Sequence, residues 1–231
     1  LAEMYDEYRK KGFPQPPNEA EFRAYHLLLK INDPDLERSC EKLPSKIFKS
    51  NFIQIALLFR RLFTFRLLLN SSNLYTTFFD VALSPKVPFL MACLLEVKFN
   101  DLRFKALRAL LASNHSKSKN VTLLHLFEVL RFPDYKEVKK FLEFHGLKYF
   151  ADSKGNECVD MSTVPNLYNR NGKTDGAPKV LKSAYDPRIN VKMANMTRSQ
   201  VISDGRRNNF NIESSNIKQF PISANQNIEA I

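Results

Sequence analysis

The chain has 231 residues, 44% hydrophobic and 12% aromatic, which is enough apolar side chain for one continuous core or two small ones and too much for a disordered protein. Its net charge of +11 is spread along the chain, favouring nucleic acid or an acidic protein as partner. The longest purely apolar run, Ile55 to Phe59, is far short of the ~20 residues that cross a bilayer, so a soluble protein with no membrane partner is expected.

Helical signals dominate as far as about residue 112. Leu1, Met4, Tyr5 and Tyr8 share a stripe that Gly12 to Pro17 break. Asn18 reads as an N-cap, with Glu21 three residues on as in a capping box. Phe22, Tyr25, Leu28 and Leu29 continue at helical spacing until Asn32. Asp33-Pro34 then restarts a short helix, and Pro44 closes it. Ser50 can cap a helix to about Leu69 that is apolar nearly all round, and such a helix needs neighbours on most sides. Further helices are predicted at Leu74 to Leu83, Pro88 to Val97 and Leu102 to Leu111. Short helices with short connections stack as antiparallel pairs, an α-solenoid arrangement, although no strict sequence period is visible.

After the polar stretch His115 to Asn120, the pattern changes. Leu123, Leu124, Phe127 and Leu130 make a helix that stops at Phe132-Pro133. Asp134 caps a second, whose buried stripe is Val138, Phe141, Leu142 and His145, and Gly146 supplies the left-handed stop. Leu147 to Ala151 and Glu157 to Met161, around Asp152 to Asn156, read as a hairpin. Helix, turn, helix and hairpin give a winged helix. The domain reading is therefore a helical-repeat region over 1–114, a winged-helix subdomain over 115–165 and an extended polar tail over 166–231. Alone the tail is expected to be disordered, its scattered apolar residues docking on a partner or on the scaffold.

Chemistry-bearing constellations are missing from the sequence. Cys40, Cys93 and Cys158 are sparse and odd in number, which suits a reducing compartment. His26, His115, His125 and His145 lie near no cysteine or paired carboxylate at ligand spacing, so no metal site is expected. No glycine-rich phosphate loop or nucleophile elbow occurs. The two glycosylation sequons, at Asn120 and Asn195, read as chance. The chain opens at Leu1 with no targeting pattern and reads as an internal piece of a longer polypeptide, without catalytic residues and without a cofactor.

What remains is basic residues on helices. Lys136, Lys139 and Lys140 share the face opposite the buried stripe, and Lys148 and Lys154 lie in the hairpin. In a winged helix the second helix approaches nucleic acid and the wing touches phosphate. On the residues alone a solvated face is the simpler account, since Glu137 and Glu143 offset part of the charge. Arg60, Arg61, Arg66, Arg103, Lys105 and Arg108 fit either an acidic chain or the edge of a helical stack.

The stretch Asn18 to Leu28, together with Phe59 to Phe63, Asn73 to Tyr75 and Leu123 to Asp160, resembles the GANP family. Its fungal members are large scaffold subunits of the nuclear transcription-and-mRNA-export complex. The resemblance covers roughly residues 1–165. It implies a PCI-type architecture of helical hairpins capped by a winged helix, and a nuclear location at the pore. It also implies side-by-side pairing with a second PCI-domain protein, itself stabilised by a small acidic protein, and a shared platform for RNA or DNA. The family's Phe-Gly repeats and centrin-binding helix have no counterpart in these residues, so pore attachment would fall to regions outside them. The resemblance turns Lys136, Lys139, Lys140, Lys148 and Lys154 towards nucleic acid, and gives Phe144, Leu147, Tyr149 and Phe150 a purpose as a partner edge. The alternatives are a PCI scaffold of another assembly, proteasome-lid-like or splicing-linked, and a stand-alone winged-helix DNA-binding regulator.

Overall fold

The computed structural model describes residues 1–63, 74–113, 121–163, 181–182 and 185–207. Their helices are α1 (Ala2–Lys10), α2 (Glu19–Leu29), α3 (Pro34–Glu41), α4 (Ser45–Phe48), α5 (Asn51–Phe63), α6 (Leu74–Leu83), α7 (Phe89–Glu96), α8 (Phe99–Ser113), α9 (Leu123–Val129), α10 (Tyr135–Phe144), α11 (Pro187–Val191) and α12 (Arg198–Arg207). The strands β1 (Tyr149–Ala151) and β2 (Glu157–Val159) form a two-stranded antiparallel sheet with Phe150 opposite Cys158. The fold is mainly helical with one small hairpin. Arg66 and the end of the helix expected to reach Leu69 lie outside the described residues, as do His115 and the linker around it.

Helix α5 is the hub of the stack. Apolar on most sides, it is covered by α2, α4 and α6, and Ile53, Ile55, Ala56, Leu57, Phe59, Leu62 and Phe63 are all buried. Phe59 and Phe63 pack on Phe78 of α6, with Phe79 and Phe99 extending the aromatic cluster. Ser50 caps α5, its Oγ accepting from Ile53 N at 3.4 Å. The buried set continues without a break into Leu123, Leu126, Val138, Phe141 and Val159, so helical stack and hairpin unit share one core.

The expected capping box at the start of α2 does not form. Asn18 makes no side-chain cap hydrogen bond, and its backbone (φ −101°, ψ 3°) lacks the extended geometry of a cap. Glu21 is turned inward, where its carboxylate accepts from the Tyr25 hydroxyl at 2.7 Å. Glu19, 1% exposed, accepts from Arg23 Nε at 2.9 Å and from Arg9 Nη2 of α1. Arg23 Nη2 reaches Asp6 at 2.6 Å. Glu19 and Arg23 therefore hold α1 to α2, while Glu21 bonds within α2 and Ala24, Leu27 and Leu28 fill the core. The stripe of α1 itself contributes no buried residue; Leu1 and Met4 face solvent.

Two arginines offered by the sequence as surface cations are interior. Arg60, 2% exposed, donates from Nη1 to the carbonyl of Lys30 at 2.9 Å and from Nη2 to that of Asp33, closing the end of α2. Arg103 of α8, 4% exposed, donates to the carbonyls of Leu130 (3.1 Å) and Arg131 (2.8 Å) and to Asn100 Oδ1 (3.0 Å). Its guanidinium lies 4.2 Å from the centre of the Phe132 ring. Burial pushes its pKa down to about 9, against the pull of Asp186, and the group stays charged at neutral pH. An arginine here clamps α8 to the α9–α10 turn.

That turn holds a second constraint. α9 ends with Phe132 N donating to Phe127 O and Arg131 N to Glu128 O, the bonding that favours glycine in the left-handed position. Arg131 occupies it instead, at φ 49°. Its side chain is then free to bind Asp80 of α6, from Nε at 2.9 Å.

Two stability outcomes follow from these clamps. Arg103→Ala should cost about 3 kcal/mol in urea unfolding, since it leaves buried carbonyls without donors; Arg103→Lys should recover less than half, because an ammonium cannot span both carbonyls. Arg131→Gly should be more stable than Arg131→Ala by about 1 kcal/mol in the same assay, because both lose the Asp80 pair but only glycine relaxes the backbone.

Candidate nucleic-acid and partner interface

Helix α10 is positioned by its two ends and one face. Asp134 caps it by accepting from Lys136 N at 3.3 Å. Gly146, at φ 74°, stops it, with Gly146 N donating to Glu143 O and Leu147 N to Leu142 O, both at 2.9 Å. Val138, Phe141 and Leu142 are buried, and His145 sits inside an aromatic cluster, stacked on Phe104 with 4.5 Å between centroids. The lysines lie on the remaining surface, but not equally free.

Lys139 is half-buried and donates to Glu157 Oε1 of β2 at 2.7 Å. The Tyr135 hydroxyl donates to the other oxygen of that carboxylate at 2.8 Å. The ammonium lies 5.4 Å and 5.3 Å from the Tyr135 and Tyr149 ring centres. These bonds hold the Glu157 carboxyl below the usual glutamate range and Lys139 above its own, while burial and Glu157 push the Tyr135 hydroxyl up to about 12. Lys140, exposed, pairs with Glu137 of its own helix at 2.8 Å, which raises its pKa. Lys136, Lys148 and Lys154 are exposed and make no ion pair among the described residues. The five lysines thus divide: Lys139 fastens α10 to the hairpin, Lys140 is neutralised locally, and three remain open to an anion.

Glu157 and Tyr135 were not among the predicted site residues. The signal for Glu157 is its place as the first residue of β2, which only the folded hairpin brings against the lysine stripe.

The hairpin is built by its turn. Asp152 accepts from Lys154 N and Asn156 N, both at 2.8 Å, which holds its carboxyl below the ordinary aspartate range, with the Asn156 bond the largest cause. Gly155 takes φ 79°. On the far side of β2, Thr122 pairs with Cys158, and Val159 N donates to Val121 O at 2.9 Å. β1 pairs only with β2 among the described residues and is an edge strand.

Of the predicted partner residues, Phe150 on that edge is 43% exposed and Phe144 38% exposed. Tyr149 is half-buried, its hydroxyl donating to Glu143 at 3.2 Å. Leu147 is corrected. At 2% exposure it belongs to the core, because its amide closes the end of α10 and turns the side chain inward. The apolar surface is smaller than the sequence suggested.

A sequence profile of the SAC3/GANP family matches residues 1–150. The chain belongs to this family. Over 218 residues it is 30% identical to SAC3 family protein 1 of Schizosaccharomyces pombe, covering 90% of this chain and 20% of that protein. It is also 30% identical over 152 residues to Protein xmas of Drosophila melanogaster, covering 64% of this chain and 7% of that one. The chain therefore spans a fifth or less of these relatives. SAC3/GANP proteins are scaffolds linked to mRNA export. The matched span includes the Glu19 and Arg23 clamp, the Arg103 clamp and α10 up to the start of the hairpin. No group of three or more His, Cys, Asp or Glu able to hold a metal occurs among the described residues. No helix among them is long and apolar enough to cross a membrane.

The clamp between α10 and the hairpin has a pH signature. Glu157 is depressed in the folded chain, so the stability it contributes is fully present above its unfolded value of about 4.3 and is lost as pH falls through the lower folded value. Thermal melting followed from pH 7 to pH 3 should show that loss in the wild type, and Glu157→Gln should flatten it.

Proposed function

We propose that this chain is a non-enzymatic scaffold segment of a nuclear complex that couples transcription to mRNA export at the pore. Its helix–helix–hairpin unit acts as a winged helix that pairs with a second PCI-domain protein, which a small acidic protein stabilises, and adds to a shared RNA- or DNA-binding surface. The observation that carries the reading is the open edge of β1 with Phe150 exposed on it and Phe144 exposed at the end of α10. An unpaired strand edge with exposed aromatics is a surface that proteins cover.

The nucleic-acid part rests on charge without base-reading geometry. Lys136, Lys148 and Lys154 can meet phosphates directly. Lys139 and Lys140 would first have to exchange carboxylates for phosphates. The exposed pair of Lys140 with Glu137 is weak enough for that exchange, whereas Lys139 is also held between two tyrosine rings. Binding of this kind is tolerant of sequence and steeply dependent on salt.

Two sets of substitutions test the halves separately. Phe144→Asp with Phe150→Asp should abolish co-purification with the second PCI-domain protein while leaving the helical circular-dichroism signal intact; retained pairing would remove the edge from the interface. In the assembled complex, changing Lys136, Lys148 and Lys154 to glutamate should weaken binding to a mixed-sequence RNA and reduce the log–log salt slope by about 2, at roughly 0.7 per contact. Identical slopes for wild type and variant would leave the chain as a protein-binding scaffold only.

A further inference from the structure

Among the described residues, 185–207 hydrogen-bond to the rest of the fold at three places, two of them on the helical stack. Lys192 Nζ donates to the carbonyls of Ser84 and Val87 in the α6–α7 turn, the latter at 3.1 Å. Asp186 N donates to Glu96 Oε1 at the end of α7. Asp186, itself buried, accepts from Arg188 N at 3.0 Å, Nε at 2.9 Å and Nη2 at 2.6 Å, capping α11 and orienting the arginine. Ile189 and Val201 are buried, and α11 and α12 pack on α7. So far the segment touches only the helical stack.

The third contact crosses over. Arg188 Nη2 donates at 2.6 Å to the carbonyl of Arg131, the same oxygen that Arg103 Nη2 holds from the interior at 2.8 Å. One carbonyl has two lone pairs, and each takes one guanidinium. The two grips differ in access. Arg103 is sealed in the core, whereas the side chain of Arg188 is 37% exposed, so water can replace its bond without opening the fold. The residue they hold is the left-handed Arg131 at the end of α9, a backbone state that an arginine adopts at a cost.

We propose that residues 185–207 are a latch: a strap fastened to α7 that closes reversibly, through Arg188, on the turn that sets the pitch of the helix–helix–hairpin unit. Closed, it braces Leu130 to Phe132 and with them the start of α10. Open, it leaves the stack and its core intact and lets that turn relax on Arg103 alone. The bond is charge-assisted and exposed, which suits a contact that a partner or a competing anion can displace.

Amide hydrogen exchange on the full 231-residue chain tests it. In Arg188→Lys the charge is kept, but an ammonium cannot serve Asp186 and the Arg131 carbonyl together. The amides of Leu130, Arg131 and Phe132, which close α9, should exchange about tenfold faster, the loss of one charge-assisted hydrogen bond, while α2 and α5 are unchanged. The double variant Asp186→Asn, Arg188→Ala should give the same pattern, with the amides of Ile189 and Lys192 released as well. Faster exchange at Ile189 and Lys192 with no change at the α9–α10 turn would overturn the latch and leave a passive covering for α7. Loss of protection across α2 and α5 in both variants would overturn it too, by making the strap part of the cooperative fold.

Discussion

The structure depends on one buried cation. Arg103 takes carbonyl oxygens left over where α9 ends and satisfies them from the middle of α8, with Phe132, Phe79 and Phe99 around its guanidinium. Helix ends leave carbonyls without partners, and buried ones are costly. An arginine has enough donors in a fixed fork to serve two carbonyls and Asn100 at once. That residue ties the turn between α9 and α10 to α8, and the turn sets where the α10 lysines and the hairpin point. Arg60 does the same service for the end of α2. The fold thus spends interior arginines on joints between helices, which is also why part of its positive charge is unavailable to partners.

Much of this was legible in the chain. Helix positions followed the apolar periodicity, and the caps at Asp33, Ser50 and Asp134 and the stop at Gly146 are bonded as the local pattern demands. The hairpin register follows from its Asp152 to Asn156 turn. Other features were written in the same grammar but passed over. Asp186-Pro187 starts α11 as Asp33-Pro34 starts α3, and Thr197 with Gln200 forms a reciprocal capping box at the start of α12. Both sit in a polar stretch whose composition argued for disorder. Their helices hold because α7, apolar almost all round, offers a surface to pack on.

What could not be read are the long-range polar contacts. An arginine among apolar neighbours on a helix looks the same whether its head edges the stack or is consumed by carbonyls from a distant turn. Glu21 looked like a capping residue because its spacing fits one, and only Tyr25 on the packed face decides otherwise. Leu147 reads as a partner-edge residue of the hairpin, but the bonding that ends α10 turns it inward. In each case a nearby pattern was right in form and was overruled by a contact across the fold.

The lysine face shows how such contacts shape a binding surface. Three cations at helical spacing suggest one positive patch, yet Glu157 ties Lys139 to the hairpin and Glu137 covers Lys140. The field over α10 is therefore mixed, and the open charge shifts outward to Lys136 and to the hairpin. A surface of that kind lacks the dense positive track that a single domain needs to hold a polyanion at physiological salt. On the proposed function a neighbour would add cations alongside, and the exposed Phe150 edge is where it would sit. If the proposed function holds, partner binding and nucleic-acid binding are coupled through geometry: whatever fixes the angle of the hairpin unit, from Arg103 inside to Arg188 outside, also fixes whether two half-sites line up. On the proposed function, such a scaffold would hold a polyanion weakly alone and more firmly beside a chain whose cations extend its own.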